Sequence, residues 1–392
     1  MSSKKRILFI MPSLVGGGAE KALINLLENL DSERYDIHLL VAEEKGIYLD
    51  QIPDHVKRYF LFSGNLQKKI IIELHRRFGI SWPFRMFTRR TIPGKFHIGI
   101  SFLDSVYSDM LLFLRHQLER SAVVLHSSYK TNKNKSKFIK GAYKERLIQR
   151  YSRVNTIIGV SGDVVDEFTQ LLGHYQDIRV INNPIPREEI IDKSIAFTPE
   201  FNKDLVNIVA VGSLLPVKGY DRLVEACSRV RETGRKFHLR ILGKGPLETQ
   251  LKAQVEERNL AEQVSLMGFQ SNPYPYMLHS DIFAMSSHAE GLPTVLCEAM
   301  ILGKPVVVTD CSGCRGLVEN GKYGYMTDNT VESLTEGLAR MIDDADLREK
   351  YSKKALERSR SFDVDKAVAE YEALFNREGK TEIRRRDVQL SQ

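Results

Sequence analysis

A chain of 392 residues is long enough for two domains, each with its own core. With 42% hydrophobic and 27% charged residues, and no apolar run near the roughly 18 residues of a membrane span, its composition excludes a disordered chain and a helical membrane protein. Four cysteines make no disulfide framework and point to a reducing compartment, the cytoplasm; the net charge of +7 belongs to one half, because residues 1–186 hold 28 Lys and Arg against 18 Asp and Glu and the rest hold 29 against 32.

The first residues imitate a signal peptide, basic and then apolar. The run is short, is cut by Pro12 and lacks a small-x-small cleavage pattern, so RILFIM predicts a first strand. Gly16, Gly17 and Gly18 then lead into a helix over 19–30, with Ala22, Leu23, Leu26, Leu27 and Leu30 on one stripe. Strand, glycines and helix together present backbone N–H groups to a phosphate. The same glycines also serve a tight turn with close helix packing, and they do not spell G-x-G-x-x-G. YDIHLLVA predicts the second strand.

From Gly64 to Phe96, Lys68, Lys69, Arg76, Arg77, Arg85, Arg89 and Arg90 alternate with Ile70, Ile71, Ile72, Leu74, Phe78, Phe84 and Phe87, around the chain's only tryptophan, Trp82. Residues 57–153 hold 21 basic residues against 5 acidic. Such a stretch suits an anionic membrane surface, and equally the solvated basic face of ordinary domain helices. Gly79 and Pro83 rule out one continuous helix. FHIGISF and SAVVLHSS predict two more strands. The second ends at His126, at the carboxyl end of a strand, where a doubly wound sheet gathers ligands and where a core histidine is also at home. TNKNKSKFIKGAYKERLIQRYSR is basic and helical in its second half. TIIGVSGDVVDEF is a strand and a helix start with Ser161 or Asp163 as cap. The turn Asn182-Asn183-Pro184 closes a first domain at about residue 186, and the polar stretch 187–204 reads as a linker.

A second strand–loop–helix series starts at VNIVAV. Gly212 and Gly219 bracket a loop carrying Lys218 just before a helix, which makes it a diphosphate partner as a point charge. Gly243-Lys244-Gly245-Pro246 and Gly268-Phe269 follow two further strands. DIFAMSSHAEGLPTVLCEAMILGKPVVV then reads as strand, loop, helix, strand, with Pro293 at the first helical position and Gly303 and Pro305 as stop. Glu290 precedes the helix N-terminus, whose amides favour anions. Glu298 sits within an apolar helix, either as a surface or ion-paired glutamate or as a ligand-binding one. Cys311-x2-Cys314 has no second cysteine pair beside it, and Asp343, Asp344 and Asp346 sit at a helix start, so no metal site is expected from either. A helix over about 362–378 and a polar tail over 379–392 end the chain.

The spacing Glu290-x7-Glu298 within EGLPTVLCEAM, followed by GKPVVV, resembles the signature of retaining GT-B glycosyltransferases, specifically glycosyltransferase family 4. The resemblance implies an α/β fold of two Rossmann-like doubly wound domains facing a cleft: an acceptor-side domain over 1–186, a nucleotide-sugar domain over 187–361, and a last helix crossing back to the first domain. It implies a sugar moved from a nucleotide-diphosphate donor, UDP- or GDP-linked, with no cofactor and no metal. Glu290 and His126 would then face the transferred sugar, and Glu298 the ribose hydroxyls. Lys218 and the segment Gly291, Leu292, Pro293, Thr294 would meet the diphosphate, and Gly268 and Phe269 the base. Gly17 and Gly18 would help admit the substrates. Ser213 stands where the family has an arginine, with Lys244 a candidate replacement. The expected partners are the nucleotide sugar, a saccharide or lipid-linked acceptor of bacterial surface polysaccharide or lipopolysaccharide synthesis, and an anionic membrane surface, but no nucleic acid. The expected place is peripheral, on the inner face of the inner membrane. A soluble transferase acting on a small metabolite, a sugar-nucleotide epimerase and a nucleic-acid binder remain as alternatives.

Overall fold

Strands that read as uninterrupted apolar runs are those buried on both faces, which in a parallel sheet means helices above and below. A computed structural model of the protein describes residues 4–62, 64–127 and 142–377 and has this arrangement twice. The chain divides into two compact units, one made of Met1–Pro184 with Val364–Gln392, the other of Ile185–Asp363.

In the first unit β1 (Lys5–Met11), β2 (Tyr35–Glu43), β3 (Lys57–Phe62), β4 (Phe96–Ser101), β5 (Leu118–Leu125), β6 (Thr156–Gly159) and β7 (Ile178–Val180) form one parallel sheet in the order β3-β2-β1-β4-β5-β6-β7. Ile7 to Met11 of β1 are wholly buried, and Ile7 pairs with Ile37 on one side and Ile98 on the other. The helices are α1 (Gly18–Asn29), α2 (Asn65–Phe78), α3 (Trp82–Thr91), α4 (Asp109–Phe113), α5 (Ala142–Tyr151) and α6 (Gly162–Leu172). Gly79 ends α2 in the left-handed region at φ +70°, and Pro83 sits in the first turn of α3, so glycine and proline break the basic stretch in two. Ser161 caps α6 by accepting from the Val164 amide. The basic segment 128–141 and the tail 379–392 lie outside the described residues.

The second unit opens with a correction. Residues 187–194 of the expected linker form a helix, α7 (Arg187–Ser194), which buries Ile190 and Ser194 and is tied by Arg187 to Ser359. Its polar composition concealed a single buried row. β8 (Val206–Val211), α8 (Tyr220–Glu232), β9 (Phe237–Leu242), α9 (Glu248–Glu257), β10 (Val264–Gly268), α10 (Tyr274–His279), β11 (Ile282–Met285), α11 (Thr294–Ile301), β12 (Val306–Thr309), α12 (Cys314–Leu317), β13 (Tyr325–Thr327), α13 (Val331–Asp343) and α14 (Ala345–Ser359) follow. The six strands are all parallel, in the order β10-β9-β8-β11-β12-β13. Both sheets thus reverse direction beside their first strand, between β1 and β4 and between β8 and β11. Ligands of doubly wound sheets bind outside the carboxyl ends at such a reversal.

The last described helix, α15 (Val364–Phe375), belongs to the first unit. Phe375 packs edge-on against Phe9 and Tyr35, and Arg120 of β5 donates to the Leu374 carbonyl. Among the described residues no helix is long and apolar enough to cross a membrane.

Candidate active site

The loops leaving β8 and β11, the two strands that flank the reversal in the second sheet, are bolted together. Gly219 takes φ +62° at the start of α8, and a Cβ there would collide with the Ser286 carbonyl, so only glycine lets this turn lie against the end of β11. The Ser286 hydroxyl donates to the Lys218 carbonyl at 2.9 Å and the His288 amide to the Val217 carbonyl at 2.8 Å. This contact brings the side chains together. Lys218 Nζ donates to Glu290 Oε1 at 2.7 Å, and Ser287 Oγ donates to the same oxygen at 2.6 Å.

A third loop closes on Glu290 from the side of β12. The Glu290 amide donates to the Ser312 carbonyl, the Ser312 hydroxyl donates back to the Glu290 carbonyl, both at 3.2 Å, and Gly313 adopts φ +81°. A Cβ on Gly313 would stand 2.5 Å from the Gly291 carbonyl oxygen. Glu290 is therefore fixed through its backbone as well as through its carboxylate. Burial disfavours the Lys218 ammonium, but the charge and hydrogen bond of Glu290 outweigh it, and the Lys218 pKa is raised. The lysine therefore keeps its charge beside Glu290.

α11 starts one residue later than its sequence suggests. Pro293 has ψ 95° and is the residue before the helix, with its φ of −73° set by the ring and its ψ still extended. No side chain caps this N-terminus. Leu296, Cys297, Ala299 and Met300 are buried, while Thr294, Val295 and Glu298 are half-buried. Thr294 and Glu298 are four apart and share a face. A carboxylate inside an apolar helix is thus explained by position, since Glu298 lies on the side that the core does not cover. Gly291 and Pro293 are buried and Leu292 is half-buried.

At the end of β10, Gly268 adopts φ +66° and Phe269 next to it is 49% exposed, unusual for a ring that nothing obliges to face solvent. The exposed Lys244 runs alongside, its Cε 3.8 Å from where a Gly268 Cβ would lie. Ser213, where a cation was expected, is half-buried.

Gly17, Gly18 and His126 stand in the first unit. His126 follows β5 directly, is half-buried, and its ring lies 5.1 Å from that of Phe102, which follows β4. Gly17 precedes α1, and a Cβ on it would collide with the carboxylate of Glu20. That carboxylate is buried, which raises its pKa, and it accepts hydrogen bonds from its own amide and that of Gly17, which act the other way. The N-terminus of α1 therefore already carries an anion from its own chain. Sequence reasoning missed Glu20, Ser287, Ser312 and Gly313. Only Glu20 left a local signal, three residues after a glycine cap.

Other suspected clusters resolve into ordinary structure. Asp343 pairs with Arg235, and Asp344 caps α14 by accepting from the Leu347 amide at 2.8 Å. Cys311 and Cys314 are buried free thiols, and the Cys314 thiol is pushed up by its hydrogen bond with Cys311 and by burial, which holds it protonated. Among the described residues no three His, Cys, Asp or Glu side chains are placed to hold a metal ion.

Comparison with known proteins identifies the family of the chain. Residues 16–189 match the model of Glycosyltransferase Family 4, and residues 192–358 match that of Glycosyl transferases group 1. An uncharacterized glycosyltransferase of Methanocaldococcus jannaschii is 27% identical over 300 residues, 69% of this chain and 64% of that protein. The N-acetylgalactosamine-N,N'-diacetylbacillosaminyl-diphospho-undecaprenol 4-alpha-N-acetylgalactosaminyltransferase of Campylobacter jejuni is 27% identical over 360 residues, 90% of this chain and 94% of that one. Among solved structures, Anabaena HepE in complex with UDP and glucose superimposes with a TM-score of 0.72 at 18% identity, over 94% of this chain and 99% of that one. With two parallel sheets of this order, and family models that cover almost the whole chain, the protein belongs to the GT-B glycosyltransferases of family 4 type and is a transferase enzyme.

Proposed function

We infer that the enzyme is a retaining transferase that moves a sugar from a UDP- or GDP-linked donor to a lipid-linked saccharide in bacterial surface polysaccharide synthesis, at the inner face of the inner membrane. The observation that carries this is the Lys218–Glu290 pair, held at the reversal of the second sheet by three loops. When the bond from the anomeric carbon to the diphosphate breaks, negative charge grows on the leaving group and positive charge on the sugar. A lysine beside the uncapped N-terminus of α11 suits the first charge, and the Glu290 carboxylate suits the second. Before a donor arrives, each neutralises the other. A diphosphate would draw Lys218 away and leave Glu290 free to face the sugar.

Attack by the acceptor hydroxyl from the departing side gives retention, with its proton passing to the leaving phosphate oxygen. Glu298 would accept from the ribose hydroxyls, Gly268 and Phe269 would take the base, and His126 with Gly17 and Gly18 would act from the first unit. Lysine and amides supply the positive charge, so the proposal needs no metal and activity should persist in a chelator. The acceptor class is supported by the Campylobacter relative, whose name carries a diphospho-undecaprenol saccharide.

The test is a thermal-shift panel of nucleotide sugars on the wild type and on Glu298→Ala. A ligand at a hundred times its dissociation constant stabilises the native state by about 2.7 kcal/mol. One donor should raise the melting point of the wild type and not of the variant. The proposal fails if no nucleotide sugar shifts the wild type.

A further inference from the structure

Between Arg76 and Trp82 the first unit turns an unusual edge to solvent. Arg76, Arg77, Phe78, Gly79 and Ile80 are all exposed, and after the half-buried Ser81 so is Trp82. Phe78 is 71% and Trp82 67% exposed, and Ile70 on α2 is exposed as well. Lys69, Arg85, Arg89 and Arg90 are exposed around them. Glu73 is the only acid between Asp54 and Asp104, and it is already held by Arg76 and Arg77.

This edge is built, not frayed. On the inner side of the α2–α3 pair, Ile71, Pro83, Phe84 and Thr88 are buried, with the Phe84 ring edge-on to Phe113 at 5.1 Å. His75 bonds Ser81 Oγ at 2.9 Å and Asp109 Oδ2 at 2.8 Å, and Arg150 of α5 donates to the other Asp109 oxygen at 2.6 Å. The turn is thus pinned from beneath to α4 and, through Asp109, to α5, while its apolar tips point at nothing in the described structure that would hide them.

We propose that the α2–α3 turn seats the enzyme in an anionic phospholipid surface, with Phe78, Ile80 and Trp82 entering the headgroup boundary and the flanking arginines meeting lipid phosphates. An aromatic and aliphatic tip ringed by cations is what an interface between water and acyl chains accepts. A nucleic acid would match the cations and the rings, but Ile70 and Ile80 offer no face on which a base could stack. The inference rests on the lipid-linked acceptor proposed above, because a surface-bound enzyme meets such an acceptor in two dimensions.

Trp82 is the only tryptophan, so the full-length protein reports on this edge directly. With vesicles rich in phosphatidylglycerol its emission should shift to the blue and be quenched by brominated acyl chains, less so as salt rises, and hardly at all with phosphatidylcholine alone. Phe78→Ser with Ile80→Ser keeps the reporter and should weaken vesicle binding by about tenfold or more. Replacing Arg76, Arg77 and Arg85 by Gln should weaken it on the order of a hundredfold and flatten its salt dependence. Unchanged, unquenched Trp82 emission with bound vesicles would overturn the proposal, as would an RNA oligonucleotide that moves the emission as anionic vesicles do. Sugar transfer is assayed separately with a short-chain, water-soluble acceptor. Transfer without insertion removes the membrane edge and leaves the function, whereas insertion by a protein that transfers to no lipid-linked saccharide does the reverse.

Discussion

At the scale of single residues, Lys218 and Glu290 were legible because each follows a glycine- or serine-rich loop at a strand end and precedes a helix. Their contact was not legible, because 72 positions separate them and only the sheet order brings β8 beside β11. Ser287 was equally hidden, as one serine of a polar cluster, until its hydroxyl was found on the Glu290 carboxylate. The pair should affect stability and turnover separately. Lys218→Met leaves a half-buried carboxylate without its cation, which should cost about 1–3 kcal/mol of stability and about 10²–10³ in kcat. Lys218→Met with Glu290→Gln removes the uncompensated charge, so its melting point should recover while kcat stays low. Denaturant titrations beside donor-turnover assays check this, and a double variant that regained activity would remove both residues from the chemistry. The sign of the pH effect follows from the raised lysine pKa. The part that comes from the Lys218 charge is full below about pH 10, the unfolded value, and fades as pH rises through the folded one.

At the scale of elements, apolar runs, glycines and prolines predicted most of the boundaries. The misses have physical causes. α7 reads as linker because one buried isoleucine row is too weak a period to see in eight polar residues, and the start of α11 reads one residue too early because the φ of Pro293 suits both the cap and the first helical residue. What no local pattern tells is which glycines are needed for space and which only for conformation. Gly313 and Gly234 separate the two. Both have positive φ, +81° and +78°, but a Cβ on Gly313 would press on the Gly291 carbonyl whereas one on Gly234 meets nothing within 4 Å. Gly234→Ala should therefore lose about 1 kcal/mol, the left-handed penalty alone, with donor-induced stabilisation intact. Gly313→Ala should lose more and also abolish that stabilisation, because the 290–291 backbone must move. Equal thermal shifts in the two variants would show that the third loop does not set the site.

At the scale of the whole molecule, the first unit is finished by the end of the chain. Nothing in the periodicity of α15 named its partner; the family resemblance did, and the contacts give the reason. Tyr371, Leu374 and Phe375 are buried, Phe375 covers Phe9 and Tyr35, and Arg34 pairs with Glu372 at 2.7 Å, more than three hundred positions away in sequence. Each such side chain contributes about 1.5–3 kcal/mol when buried, so the three together rival the roughly 5–15 kcal/mol that keeps a domain folded. The cores of the second unit, Ile185–Asp363, are closed by that unit's own residues. A chain ending at Asp363 should then lose amide-exchange protection in β1 and β2 while β8 and β11 keep theirs, and it should still gain stability from the donor nucleotide through the second unit. Protection of β1 retained in the truncated chain would mean that α15 only decorates the first sheet, and loss of protection in both units would mean that they fold as one.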